Sequence, residues 1–136
     1  MRNIIVTWGL LLFSLTAWSR PHPLVVISLD GCRWDYPLWY ETPFLDYMGS
    51  YGVESGLIPS FPSKTFPNHY TLVTGLYPDS HGIVANTFYD AETDAVFSLS
   101  DPVQKFNSHY YGGEPIWITA KKQGLKTDVF YWPGSD

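Results

Sequence analysis

The stretch Pro62-Ser63-Lys64-Thr65-Phe66-Pro67-Asn68-His69-Tyr70 governs how the rest of the chain is read, because it sets one hydroxyl at the start of a helix. Pro67 suits the opening turn, where its missing N–H leaves no hydrogen bond unmade, and Thr65 falls at or next to the N-cap. Phe66, Tyr70, Val73 and Leu76 recur at helical spacing, and Gly75 with Pro78 stops the run. A hydroxyl in that place faces the unpaired N–H groups and the positive dipole end of the helix, which favour a phosphate or an alkoxide. The residues alone admit two readings of Thr65: a plain helix cap, the commoner role, or a nucleophile held against an anion.

Outward toward the N-terminus, Val53 to Ile58 reads as a strand that delivers the chain through Pro59 and Pro62 to Thr65. Leu24 to Leu29 is a continuous apolar, β-branched run ending at Asp30-Gly31, which predicts a strand buried on both faces of a parallel sheet. Asp30 then lies at the carboxyl end of that strand, the edge where open α/β sheets bind ligands. It is a metal ligand on one reading and a turn-former before Gly31 on the other. Between these segments, Thr42 to Met48 predicts a helix opened by Thr42 and Pro43, closed at Gly49 or Gly52, with its apolar face on the sheet.

Outward toward the C-terminus, Asp79-Ser80-His81-Gly82 predicts a turn, and Asn86–Tyr89 with Ala95–Leu99 predicts a hairpin around Asp90–Asp94. Pro102 to Gly113 is polar and Tyr-rich, a loop or lid. Glu114 to Gln123 predicts a helix opened by Pro115 and closed by Gly124, and Lys126 to Trp132 a further strand. His69 inside the first helix and His81 in the turn are assigned structural roles.

Composition narrows the class. The 136 residues are 45% hydrophobic and 18% aromatic, enough for a globular core in one domain or part of one. Thirteen acidic against eight basic residues give a formal net charge of −5 with no run of Lys or Arg, which argues against a nucleic-acid groove. Cys32 is the only cysteine, so this sequence carries no internal disulfide framework; it is a small packed side chain or, less readily, a ligand. Met1-Arg2-Asn3, the apolar run Ile4 to Leu15 and Ala17-Trp18-Ser19 together predict a secretory signal over residues 1–19. The rival is an anchor, but the run falls short of the about 20 residues that span a bilayer. The mature domain, 20–136, is expected outside the cytoplasm, secreted or periplasmic, with no stable membrane span.

The run Pro62 to Val84, with Leu29-Asp30-Gly31-Cys32-Arg33 before it and Asn86, Glu114–Trp117 and Trp132–Asp136 after it, resembles the nucleotide pyrophosphatase/phosphodiesterase family of the alkaline phosphatase superfamily. These pieces fall in the family's order and span essentially all of the chain after its first twenty or so residues. The resemblance implies an α/β fold with a mostly parallel sheet flanked by helices, alkaline-phosphatase-like and incomplete in this chain. It implies zinc-dependent hydrolysis of nucleotide phosphodiester or pyrophosphate bonds through a covalent threonine intermediate, releasing nucleoside 5′-monophosphates. By the same resemblance Thr65 is the nucleophile and shares one zinc with Asp30, and Asn86 donates to a non-bridging phosphate oxygen. The resemblance also implies that Phe66 and Trp132 line a nucleobase pocket, where the residue types alone equally admit core packing, with Asp136 a weaker candidate there.

The chemistry agrees with those residue types. A threonine hydroxyl is inert at neutral pH unless a metal or a base activates it, and no histidine stands in an obvious position to serve Thr65. Two zinc ions about 4 Å apart supply the activation and clamp the phosphate. The remaining ligands are expected beyond Asp136, so residues 1–136 alone are expected not to turn over substrate. Other readings stay open: a lipid or choline phosphodiesterase, a phosphomonoesterase, or a non-catalytic truncated product.

Overall fold

The computed structural model describes residues 22–135, so the signal-like segment 1–19 and Asp136 lie outside it. Its centre is α2, Thr65–Thr74, which follows Lys64 in an extended conformation (φ −110°, ψ 153°). The face of α2 formed by Phe66, Pro67, His69, Tyr70 and Val73 is buried, the spacing that the sequence pattern predicts. The helix ends because Gly75 turns left-handed (φ 69°), a conformation that costs glycine little, and its N–H closes on the Thr71 carbonyl at 2.9 Å.

That buried face packs against a hairpin. Strand β1, Thr87–Asp90, pairs antiparallel with β2, Ala95–Ser98, and the register sets Phe88 opposite Phe97. Phe66 stacks on Phe97 with ring centroids 5.9 Å apart, and Phe88 stacks on Phe97 at 4.9 Å. Phe66, Tyr70, Val73, Ile83, Phe97 and Tyr110 form the core, with Phe88, Tyr111, Trp117 and Trp132 packed around it. Burying each large apolar side chain is worth about 1.5–3 kcal/mol, and each well-set aromatic pair adds about 0.5–1.5 kcal/mol. The small aromatic core therefore holds α2 to the hairpin.

The predicted turn after α2 is one helical turn, α3, Pro78–His81. His81 is fully buried: Ile83 N–H donates to its Nδ1 at 3.1 Å, so its Nε2–H donates to Thr71 Oγ1 at 3.0 Å. The predicted flanking helices also form, α1 over Pro43–Tyr51 and α4 over Ile116–Lys122, and Gln104–Phe106 and Ser108–Tyr110 are short 3₁₀ turns in the Tyr-rich loop.

The mostly parallel sheet is not what the described residues form. Their one sheet is the antiparallel β1–β2 pair, so as described the chain is a small α/β unit. The three predicted strands, Leu24–Leu29, Val53–Ile58 and Lys126–Trp132, run without strand pairing. The reason is that a strand is completed only by a lateral neighbour that takes its N–H and C=O groups. No such neighbour lies alongside these segments among residues 22–135, and Leu24, Val25, Ile27, Val53 and Ile58 are exposed accordingly. Likewise α1, expected to cover a sheet, buries no residue, and Phe44 and Tyr51 face solvent.

Candidate active site

Thr65 is the first residue of α2, one position inside the N-cap, which is Lys64. The Thr65 Oγ1–H donates to Asp30 Oδ2 at 3.2 Å, across 35 residues of sequence. The threonine hydroxyl is thus turned toward the acid that ends the Leu24–Leu29 segment. Both line a cleft of about 470 Å³ together with Ser28, His69, Trp132 and the Phe130–Tyr131 pair. A smaller hollow of about 300 Å³ between Cys32–Trp34 and Leu45–Glu54 contains neither Thr65 nor Asp30 and has no link to this chemistry.

The loop that presents Thr65 is clamped by Asn68. Its Oδ1 accepts from the Ser60 N–H at 2.8 Å and from Ser60 Oγ at 3.0 Å, while Nδ2 donates to the Pro62 and Lys64 carbonyls, each at 3.0 Å. Residues 60–64 are therefore fixed to the first turn of α2, which restricts where Thr65 can point.

Asn86 stands at the same helix opening. Its Oδ1 accepts from the Phe66 N–H at 3.1 Å, satisfying one of the free donors of the first turn. Its Nδ2 takes no partner among the described residues. Trp132 borders the cleft, and its Nε1–H donates to the His69 carbonyl at 3.0 Å. Phe66 lies elsewhere: it is 1% exposed, with its ring in the core on Phe97. One residue along a helix turns a side chain by about 100°, so Thr65 on the cleft side sends Phe66 inward. Asp136 lies outside the described residues.

The residues can be tested for their fit to zinc. In a tetrahedral site with metal–oxygen bonds of about 2.0 Å, neighbouring ligand oxygens stand about 3.3 Å apart. The 3.2 Å between Thr65 Oγ1 and Asp30 Oδ2 matches one such edge. They would supply two of the four ligands that such a site uses. Among the described residues no group of three or more His, Cys, Asp or Glu side chains is arranged to hold a metal.

Two cleft residues escaped the sequence reading. His69 lines the cleft, with Nδ1 2.7 Å from the Thr65 carbonyl oxygen and Nε2 2.8 Å from Ser28 Oγ. The signal for His69 was its position four residues after Thr65, which lays its ring over the turn that begins with Thr65. Ser28 carried no signal, since its contact with His69 spans 41 residues.

The sequence was also compared with known proteins. Residues 24–136 match the family model for type I phosphodiesterase / nucleotide pyrophosphatase. The chain is 50% identical over 117 residues to human ectonucleotide pyrophosphatase/phosphodiesterase family member 1, covering 84% of the chain and 12% of that protein. It is 47% identical over 117 residues to bovine family member 3, covering 84% of the chain and 13% of the relative. An uncharacterized pyrophosphatase/phosphodiesterase of Schizosaccharomyces pombe is 49% identical over 115 residues, 83% of the chain and 24% of that protein. The chain thus spans about an eighth of the length of the mammalian relatives and about a quarter of the yeast one. With the family model covering all but the first 23 residues, the chain belongs to the type I phosphodiesterase / nucleotide pyrophosphatase family.

Proposed function

We propose that this chain supplies the nucleophile segment of a zinc-dependent phosphodiesterase that cleaves nucleotide phosphodiester or pyrophosphate bonds and releases nucleoside 5′-monophosphates. The observation that carries this reading is the 3.2 Å approach of Thr65 Oγ1 to Asp30 Oδ2 at the opening of α2, in a chain of this family. Zinc, when bound, lowers the pKa of an oxygen nucleophile and neutralises phosphate charge; Asp30 and Thr65 are the residues that would hold one ion. The other ligands, and all those of a second ion, come from outside residues 22–135.

Thr65 Oγ attacks phosphorus in line with the departing oxygen, so that one P–O bond forms as the other breaks. The hydroxyl proton passes to solvent, and solvent returns a proton to the departing oxygen. Water then attacks the threonine ester, frees the nucleoside 5′-monophosphate and restores the Thr65 hydroxyl, so one water is consumed per bond cleaved. Asn86 donates from Nδ2 to a non-bridging oxygen, and the first-turn N–H groups of α2 add to the positive potential there. Trp132 offers an aromatic face to the base, while Phe66 supports α2 from the core side. The signal-like start of the sequence and the ectonucleotide names of the relatives support a place outside the cytoplasm. No helix among the described residues is long and apolar enough to cross a membrane.

The test uses the complete polypeptide that carries these residues. Hydrolysis of the nitrophenyl ester of thymidine 5′-monophosphate is compared with that of nitrophenyl phosphate and nitrophenyl phosphocholine, before and after chelation and zinc readdition. The nucleotide ester is expected to be cleaved fastest, with loss on chelation and recovery on zinc. Preference for the choline ester would replace the nucleotide reading, and no turnover of any ester by folded, zinc-loaded protein would remove catalysis altogether.

A further inference from the structure

His69 joins three parts of the chain that are far apart in sequence. Its Nδ1 lies 2.7 Å from the Thr65 carbonyl oxygen, and a carbonyl only accepts, so Nδ1 carries the proton and donates. Its Nε2 lies 2.8 Å from Ser28 Oγ, two residues before Asp30. Its own carbonyl accepts from Trp132 Nε1–H at 3.0 Å, and the two rings meet edge to face at 5.5 Å. The side chain is 8% exposed and stands in the wall of the cleft that Thr65 and Asp30 share.

We infer that His69 is a positioning residue for the reaction: it sets the separation of Thr65 from Asp30 by tying the Thr65 backbone to the Ser28 segment. The inference rests on the proposed role of Thr65 as nucleophile. The two oxygens belong to segments 35 residues apart in sequence, and no bond local to either segment fixes their distance. The Ser28–His69–Thr65 chain of hydrogen bonds does, and the Trp132 ring packs edge to face against the imidazole at 5.5 Å. Misplacing reacting groups by about 1 Å can cost on the order of a hundredfold in rate, which gives this contact its leverage.

The experiment compares His69→Phe, His69→Asn and Ser28→Ala with wild type and with Thr65→Ala in the complete polypeptide. Phe fills the space of the ring but donates nothing. Asn carries an N–H near the place of Nδ1 and so restores the bond to the Thr65 carbonyl. Four quantities are read: KM, kcat, the rate of covalent intermediate formation on Thr65 after acid quench, and thermal stability with zinc content. His69→Phe is expected to lower kcat and intermediate formation about tenfold to a hundredfold with KM changed less than threefold, and His69→Asn to recover most of that loss. Ser28→Ala is expected to fall between them. A His69→Phe protein that forms the intermediate at near wild-type rate would overturn the positioning role while leaving Thr65 as nucleophile. Equal losses in Asn and Phe that follow their melting temperatures would reduce His69 to a packing residue. An intermediate that persists in Thr65→Ala would instead overturn the reading on which this inference rests.

Discussion

Replacing Asn86 separates its structural bond from its proposed catalytic one, because the two use different atoms of the same amide. Asn86 Oδ1 accepts from the Phe66 N–H at 3.1 Å, and Phe66 is 1% exposed. In Asn86→Ala that part-buried N–H loses its acceptor, which costs about 1–2 kcal/mol of stability. In Asn86→Asp the acceptor remains and becomes a carboxylate at the opening of α2, where a negative charge stabilises by about 0.3–1 kcal/mol. Activity runs the other way. Asn86→Ala removes one donor to the phosphate, an effect of about a hundredfold to a thousandfold. Asn86→Asp removes the donor and places a negative charge beside the phosphate; at 4 Å and an effective dielectric of 20 the repulsion is about 4 kcal/mol, roughly a thousandfold. Denaturant unfolding and steady-state hydrolysis of the thymidine ester at pH 8, where the new carboxylate is ionised, read both orders. Stability is expected to rank Asp at or above wild type and wild type above Ala, and activity to rank wild type above Ala above Asp. An Asn86→Asp protein with near wild-type kcat/KM would refute the assignment of Nδ2 to the phosphate.

Gly134→Ala tests the packing of the Trp132–Ser135 loop on α2: Gly134 has φ 87°, and an added Cβ would stand 3.0 Å from Tyr70 Cδ2, so a loss of about 1–3 kcal/mol is expected in unfolding experiments. A neutral result would mean that the loop is not seated there. His81 gives a pH dependence. Its burial pushes its pKa below the ordinary 6.5, outweighing the Pro67 and His81 carbonyls and Asp79, which raise it. The folded state therefore holds the proton less tightly than the unfolded chain, so the contribution is complete above about pH 6.5 and is lost as pH falls toward the lower folded value. His81→Asn, which offers an acceptor to the Ile83 N–H, is expected to flatten the stability profile of wild type below about pH 6.5, and an unchanged slope would exclude His81 as its source.

Helix α2 was legible because its signals are local: Pro67 in the first turn, apolar residues at helical spacing, and Gly75 where the chain must turn left-handed. The hairpin was legible for the same reason, since Asp90–Asp94 sits directly between two alternating runs. The segments Leu24–Leu29, Val53–Ile58 and Lys126–Trp132 carry strand-like composition, but pairing depends on a neighbour that composition does not specify. At the site, the residues themselves offered Asp30 and Thr65 as separate candidates and only the resemblance joined them, because their approach spans 35 residues and no local pattern encodes it. His69 was given a structural role because it lies inside the helix and matches no ligand position of the family, and its partners Ser28 and Trp132, 41 and 63 residues away, leave no local signal. For Phe66 the resemblance implied a base pocket and the residue type alone also admitted core packing; its ring lies against Phe97.

The most direct measurement is of Thr65 itself, in the complete polypeptide with zinc bound. Mixing with a nucleotide ester and quenching in acid within a single turnover, followed by mass spectrometry of the peptide containing Thr65, looks for the nucleotidyl group on that residue. It is expected on Thr65 in wild type, absent in Thr65→Ala, and present but slower to form in Thr65→Ser. The hydrolysis rate of Thr65→Ala is expected to fall by several orders of magnitude while its zinc content falls only in part. A threonine that merely opened a helix would leave Thr65→Ala folded, about 1 kcal/mol less stable and nearly as fast as wild type. That outcome, with no modified Thr65 peptide, would contradict the proposed mechanism at its centre.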